Sequence, residues 1–180
     1  MPQVDQSRQS RFEETVATYG TALERLARAY EADPETRRDL LQEILIALWQ
    51  SFEGFDNRCS LRTWVYRVAH NTAARHVSRR LRMRKHFFVE LEDVPELADG
   101  TEGEDAAVHR DALGKLYELI QQLKTLDRQV MLAYLEGMDA AETAEITGLS
   151  ARNVAVKIHR IKQILARRVQ SGTVQNGGAR

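Results

Sequence analysis

Two groups of side chains in this 180-residue chain have the types and spacing to do recognition chemistry. Near the C-terminus, Arg152, Asn153, Val156, Lys157 and Arg160 lie off an apolar stripe of Val154, Ile158, Ile161 and Leu165, whose spacings of four, three and four mark one helix face. Guanidinium and amide groups can read base edges in a major groove, and cationic ones neutralise phosphate. No acidic residue follows Glu145, so nothing on that segment opposes a polyanion. The second group is Arg62, Thr63, Tyr66, Arg67, His70, Asn71, Arg75 and Arg79, set opposite a stripe of Leu61, Trp64, Val65, Val68, Ala69 and Thr72. Aromatic platforms beside cations hold single-stranded nucleic acid in this way, although a plain basic exterior with one snorkelling tyrosine has the same pattern.

Enzyme chemistry finds no support. His70, His76 and His86 fall near Cys59 but among arginines, which disfavour a metal cation, and no Cys-x-x-Cys or His-x-x-x-His pair accompanies them. There is no Gly-rich phosphate loop and no Ser/His/Asp arrangement in context, so neither catalytic residues nor a cofactor is expected. The single cysteine, Cys59, excludes an intramolecular disulfide and fits a reducing, cytoplasmic setting. No apolar run could span a bilayer, and the N-terminus lacks the apolar core of a signal peptide. The balance of 26 basic and 26 acidic side chains hides strong segregation along the chain.

The elements that would position these groups are helical. Residues 1–10 are polar and read as a flexible start, and Phe12, Val16, Tyr19, Leu23, Leu26 and Tyr30 then recur at helical spacing. Asp33-Pro34-Glu35 starts the next helix, with aspartate as cap and proline in the first turn. Its stripe of Leu40, Leu41, Ile44, Leu45, Leu48, Trp49 and Phe52 is core, while Asp39, Gln42, Glu43 and Ile46 form a second patch that by itself reads as a solvated face. Residues 55–60 read as a loop whose Ser60 caps the helix that follows. A basic run from Arg75 to Lys85 ends a first domain at residues 11–86. Residues 87–111 carry nine carboxylates against one arginine and read as a flexible acidic linker. Tethered between two basic surfaces, such a polyanion either masks them in the free protein or only spaces the domains. The second domain, 112–169, contains a helix at 128–136 ended by Gly137, a short helix at 140–147, a turn at Gly148 and a helix capped by Ser150; a flexible tail fills 170–180. The expected architecture is all-α, with two small helical domains, the second a helix-turn-helix.

The stretch from Leu126 to Arg168 resembles region 4 of the extracytoplasmic-function (ECF) sigma factors of bacterial RNA polymerase. The likeness rests on Leu126, Arg128, Glu142-Thr143-Ala144, Gly148-Leu149-Ser150, Asn153-Val154 and His159-Arg160. It departs at Asp127, Thr143, Asn153 and Ala155, the last replacing a usual basic residue. Asp39-Leu40-Leu41-Gln42-Glu43 resembles the core of sigma region 2, with Arg37 and Arg38 where the family often carries acid. Residues 61–71 resemble the run of regions 2.3 and 2.4, with Arg75 where the family usually has aspartate, so a different base preference is expected.

The resemblance implies a sigma factor that binds core polymerase through Asp39, Gln42, Glu43 and Ile46. It implies base capture by the loop with Phe55, Asn57, Arg58 and Ser60, and −10 recognition and melting by Arg62, Thr63, Tyr66, Arg67, His70, Asn71, Arg75 and Arg79. Arg152, Asn153, Val156, Lys157 and Arg160 would read the −35 element. Core RNA polymerase and promoter DNA are the implied partners, and an anti-sigma factor is admitted. The alternatives are a helix-turn-helix regulator that is not a polymerase subunit and a helical interaction adaptor.

Overall fold

The computed structural model describes the backbone of residues 2–87 and 104–176 and the side chains of residues 8–83 and 112–168. Seven α-helices and one 3₁₀ turn account for nearly all of it: α1 (Pro2–Tyr30), α2 (Pro34–Ser51), the turn Phe52–Gly54, α3 (Leu61–Phe87), α4 (Glu104–Gln121), α5 (Thr125–Leu135), α6 (Ala140–Thr147) and α7 (Ala151–Asn176). Among the described residues there is no strand.

The helix starts follow their caps. Asp33 accepts from the Thr36 backbone N–H at 2.7 Å, with Pro34 in the first turn of α2. Ser60 Oγ accepts from the Thr63 N–H at 3.0 Å and opens α3. Asp139 and Glu142 form a reciprocal capping box at α6, satisfying donors the helix leaves free. Gly148 ends α6 at φ 74°, a left-handed conformation that a side chain would strain, and Ser150 Oγ then accepts from the Asn153 N–H at 3.3 Å at the start of α7.

Three boundaries differ from the sequence expectation. Helix α1 begins at Pro2, within the stretch expected to be flexible. Contact favours the longer helix, because Arg8 Nε donates to the Trp49 carbonyl at 3.0 Å and its guanidinium lies 4.4 Å over the Trp49 ring. Helix α4 begins at Glu104, inside the expected linker. Helix α7 runs to Asn176, into the expected tail. The rest of the linker, residues 88–103, lies outside the described residues.

The N-terminal helices pack through Leu23, Leu26, Leu40, Ile44, Leu48, Val65 and Ala69, all buried. That core does not stop at the domain boundary: Ile120, Leu132, Ala133, Met138 and Ile146 join it from α4, α5, α6 and the α5–α6 turn. The opposite side of α5 packs with α7 in a separate core of Leu123, Val130, Met131, Val154, Ile161 and Leu165. The helix-turn-helix is therefore apolar on two sides, one holding its own fold and one docked on the N-terminal helices. Burial of each large side chain contributes about 1.5–3 kcal/mol, so the docking has an apolar base.

Candidate polymerase and nucleic-acid interfaces

On α7, Arg152, Asn153 and Arg160 are exposed, and Val156 is 62% exposed despite being apolar. Val154, Ile161 and Leu165 are buried, as the stripe requires. Lys157 differs from its neighbours. It is half-buried, and its Nζ lies 2.5 Å from Asp127 Oδ1 on α5. Asp127 is one of the departures from the family pattern, and here it holds a cation of the candidate groove face. Arg128 is internal: it donates to the carbonyls of Gln121 and, at 3.2 Å, Leu123, and stacks 5.1 Å over Tyr30.

On α2, Asp39 and Gln42 are exposed and Ile46 is 57% exposed. Glu43 is engaged within the fold, 2.5 Å from Arg79 and 3.3 Å from His76 on α3. Buried Glu31 extends this network to Arg80 and, at 3.4 Å, to the other nitrogen of His76. Glu43 and Arg79, read from sequence as parts of two different surfaces, thus neutralise each other.

The α3 face requires a correction. Thr63, Tyr66 and His70, expected on an open side of the helix, are buried at 3%, 3% and 0% exposure. Helix α1 and the C-terminal domain share this face, Tyr30 lying against His70 and Tyr19 against Tyr66. Glu136, just past α5, is placed against this face: Arg25 donates to both its oxygens at 2.9 and 2.8 Å, and the Tyr66 hydroxyl donates at 3.0 Å. Arg62 donates to the Glu136 carbonyl and lies 3.9 Å from Glu142. Gln129 donates to the His70 carbonyl at 3.5 Å. Burial raises the Glu136 carboxyl, but hydrogen bonds from Arg25 and Tyr66 and the charges of Arg25 and Arg62 outweigh it and hold the group below its ordinary value.

Asn71, Arg75 and Arg79 stay exposed beyond the docked domain. Arg67 is half-buried, its guanidinium 4.8 Å over Trp64. In the loop, Phe55 is half-buried with its ring 5.2 Å from Trp64, whereas Asn57, Arg58 and Ser60 are exposed. Asn57 adopts φ 60°, and Arg58 pairs with Asp56 at 2.8 Å. Glu136 and Arg25 were not singled out from sequence; their 111-residue separation leaves no local signal.

Burial pushes the His70 imidazole from 6.5 down to about 4, opposed in part by the charge of Glu136. Its Nδ1 lies 3.1 Å from the Tyr30 hydroxyl. Because the unfolded chain takes up this proton first, the contribution of neutral His70 is complete above 6.5 and is lost as pH falls toward about 4. The loss amounts to about 3 kcal/mol. Stability in denaturant should fall across that window in the native chain and fall less in His70→Gln; identical pH slopes for the two would contradict this account of the buried ring.

The family model for Sigma-70 region 2 matches residues 15–83, and that for Sigma-70 region 4 matches residues 113–165. The RNA polymerase sigma-E factor of Streptomyces avermitilis is 31% identical over 163 residues, covering 89% of this chain and 86% of that one. The chain belongs to the extracytoplasmic-function sigma factors. The RNA polymerase sigma factor NccH of Alcaligenes xylosoxydans xylosoxydans is 28% identical, with 94% of this sigma factor and 92% of NccH covered. Two solved structures share the fold. CnrH in complex with the cytosolic domain of CnrY gives a TM-score of 0.66 at 22% identity, covering 91% of this chain and 90% of that one. The sigma factor RpoE in complex with the anti-sigma factor NepR from Bartonella quintana gives 0.68 at 18%, covering 88% and 96%.

In this ECF sigma factor, region 2 corresponds to α1–α3 and region 4 to α4–α7. It is a promoter-directing, non-enzymatic subunit whose partners are core RNA polymerase and promoter DNA. Among the described residues, no helix is long and apolar enough to cross a membrane.

Proposed function

We propose that this structure is the closed, promoter-silent form of the sigma factor. Glu136 occupies the cationic and aromatic face of α3, bonded by Arg25 and Tyr66, where a −10 phosphate or base would otherwise lie. That observation carries the reading. DNA and a carboxylate compete for the same donors, so α3 engages −10 DNA only after α5 and α6 leave it. Arg62, Thr63, Tyr66, Arg67, His70, Asn71, Arg75 and Arg79 then form the melting face, with Phe55, Asn57, Arg58 and Ser60 in the capturing loop.

Core polymerase binds the outward side of α2 through Asp39, Gln42 and Ile46, with Glu43 contributing after exchange with Arg79. The −35 element is read by Arg152, Asn153, Val156 and Arg160. Lys157, restrained by Asp127, contributes less. Both solved neighbours are sigma factors held by another protein, one of them described as an anti-sigma factor, which supports an anti-sigma partner here as well. The working compartment is the cytoplasm, where the polymerase is.

Alanine variants tested on a randomised −35 library separate the roles. A base-reading arginine costs about 1–3 kcal/mol on removal and relaxes preference at one position, whereas a phosphate contact weakens all sequences alike. Arg152→Ala and Arg160→Ala should each reduce binding, and Lys157→Ala should reduce it less than Arg160→Ala. No loss for either arginine would move the DNA face off α7.

A further inference from the structure

A cleft of about 390 Å³ opens between α1, α2 and α4. Its lining includes Arg25 and Arg28 from α1, Arg37 and Arg38 from α2 and Tyr117 from α4, with Glu24 the one carboxylate among the described lining residues. Arg37 and Arg38 stand where the resemblance leads one to expect acid, and the promoter-directing function assigns them no role. Arg37 makes no ion pair with another described residue, and among the described residues Arg38 pairs with Glu35 alone, at 3.8 Å with both side chains largely exposed. Arg28 lies 4.7 Å over the Tyr117 ring, and its carbonyl accepts from Gln121 at 2.9 Å, which ties the α1 and α4 walls together.

Arg25 is already bonded to Glu136, which leaves the guanidiniums of Arg28, Arg37 and Arg38 to repel each other across one concave surface, and an anion between them relieves that repulsion. The planar fork of arginine matches phosphate oxygens in pairs. The volume is that of a small-molecule site, and the walls offer cations from two helices and one aromatic ring. A compact polyphosphate can meet cations on both walls at once. We infer that this cleft is a binding site for a small phosphorylated anion of the pyrophosphate or nucleoside-diphosphate class. The site spans both domains, because Tyr117 belongs to the second and Arg25 also holds Glu136. Occupancy is therefore linked to the closed arrangement, and a ligand that bridges the walls favours closure.

Calorimetric titration of the full chain with pyrophosphate, and separately with ADP, tests this. One-to-one saturable binding is expected, weakened roughly tenfold or more in Arg37→Glu/Arg38→Glu, since charge-assisted bonds from two guanidiniums are lost. Binding should be unchanged in Arg152→Ala/Arg160→Ala. Amide shift mapping on the native chain keeps the test open should the double variant fail to fold: pyrophosphate should move residues near Arg25, Arg37 and Tyr117. Absence of saturation, equal weakening by the α7 variant, or shifts confined to α7 would overturn the site. So would binding of a glutamate-rich peptide in the cleft with no binding of pyrophosphate, which would identify it as a protein-docking surface instead.

Discussion

Asp39→Arg combined with Ile46→Asp is expected to abolish binding to core polymerase and leave the fold unchanged. Both side chains lie on the outward side of α2, Ile46 at 57% exposure, and no ion pair of Asp39 with a described residue is seen. Surface changes of this kind stay within about 0.5 kcal/mol of neutral stability. At an interface centre, reversing one charge and inserting another into an apolar contact costs about 3 kcal/mol or more, roughly a hundredfold in affinity. Glu43 is the poorer choice for such a variant. Its bonds to Arg79 and His76 would be replaced by repulsion, and a loss of binding could then reflect a disturbed α2–α3 packing. Helical circular dichroism and a core-binding titration decide the matter. Wild-type affinity in a folded Asp39→Arg/Ile46→Asp chain would remove α2 from the polymerase surface.

The second large effect is expected at Glu136. Glu136→Gln removes the charge that Arg25, Tyr66 and Arg62 surround, and Glu136→Lys reverses it. Removing one partner of a fully buried pair costs about 3–5 kcal/mol, but Arg25 is half-exposed here, so about 1–3 kcal/mol is the appropriate scale. The open population of the free protein then rises roughly tenfold to a hundredfold. Small-angle scattering should show a larger radius of gyration, and single-stranded −10 DNA should bind the free variant more tightly than the parent. An unchanged radius and unchanged affinity in both variants would show that Glu136 does not hold the domains together. The apolar contacts of Leu132, Met138 and Ile146 set the limit of the effect, because they resist opening whatever the charge at Glu136.

Much of the local structure was legible in the residues. Asp33-Pro34, Ser60, Gly148 and Ser150 fixed helix ends through short-range hydrogen bonds and one backbone conformation, and such signals need only a few neighbours. The apolar stripes of α2 and α7 were legible for the same reason. The α3 face was not. Tyr66 and His70 lie off the Val65 stripe in a helical projection, yet both are buried, because α1 and the end of α5 cover them. Periodicity reports one buried stripe for a helix with one neighbour; α3 has neighbours on two sides. The same limit hid Glu136, whose partners lie in α1 and α3, and the pairing of Glu43 with Arg79 across two helices. Asp127 shows the reverse case. As a departure from the family pattern it was visible in sequence, but its meaning, a carboxylate 2.5 Å from Lys157, required the structure.

This sigma factor confers promoter choice on core RNA polymerase. Transcription with purified core enzyme and this chain as the only sigma, on a library of templates with the 5′ ends of transcripts mapped, tests it most directly. Transcript 5′ ends should gather at defined start sites that share −35 and −10 sequences, and those sites should be lost when Asp39→Arg/Ile46→Asp replaces the native chain. Transcripts whose 5′ ends match those made by core enzyme alone would contradict it.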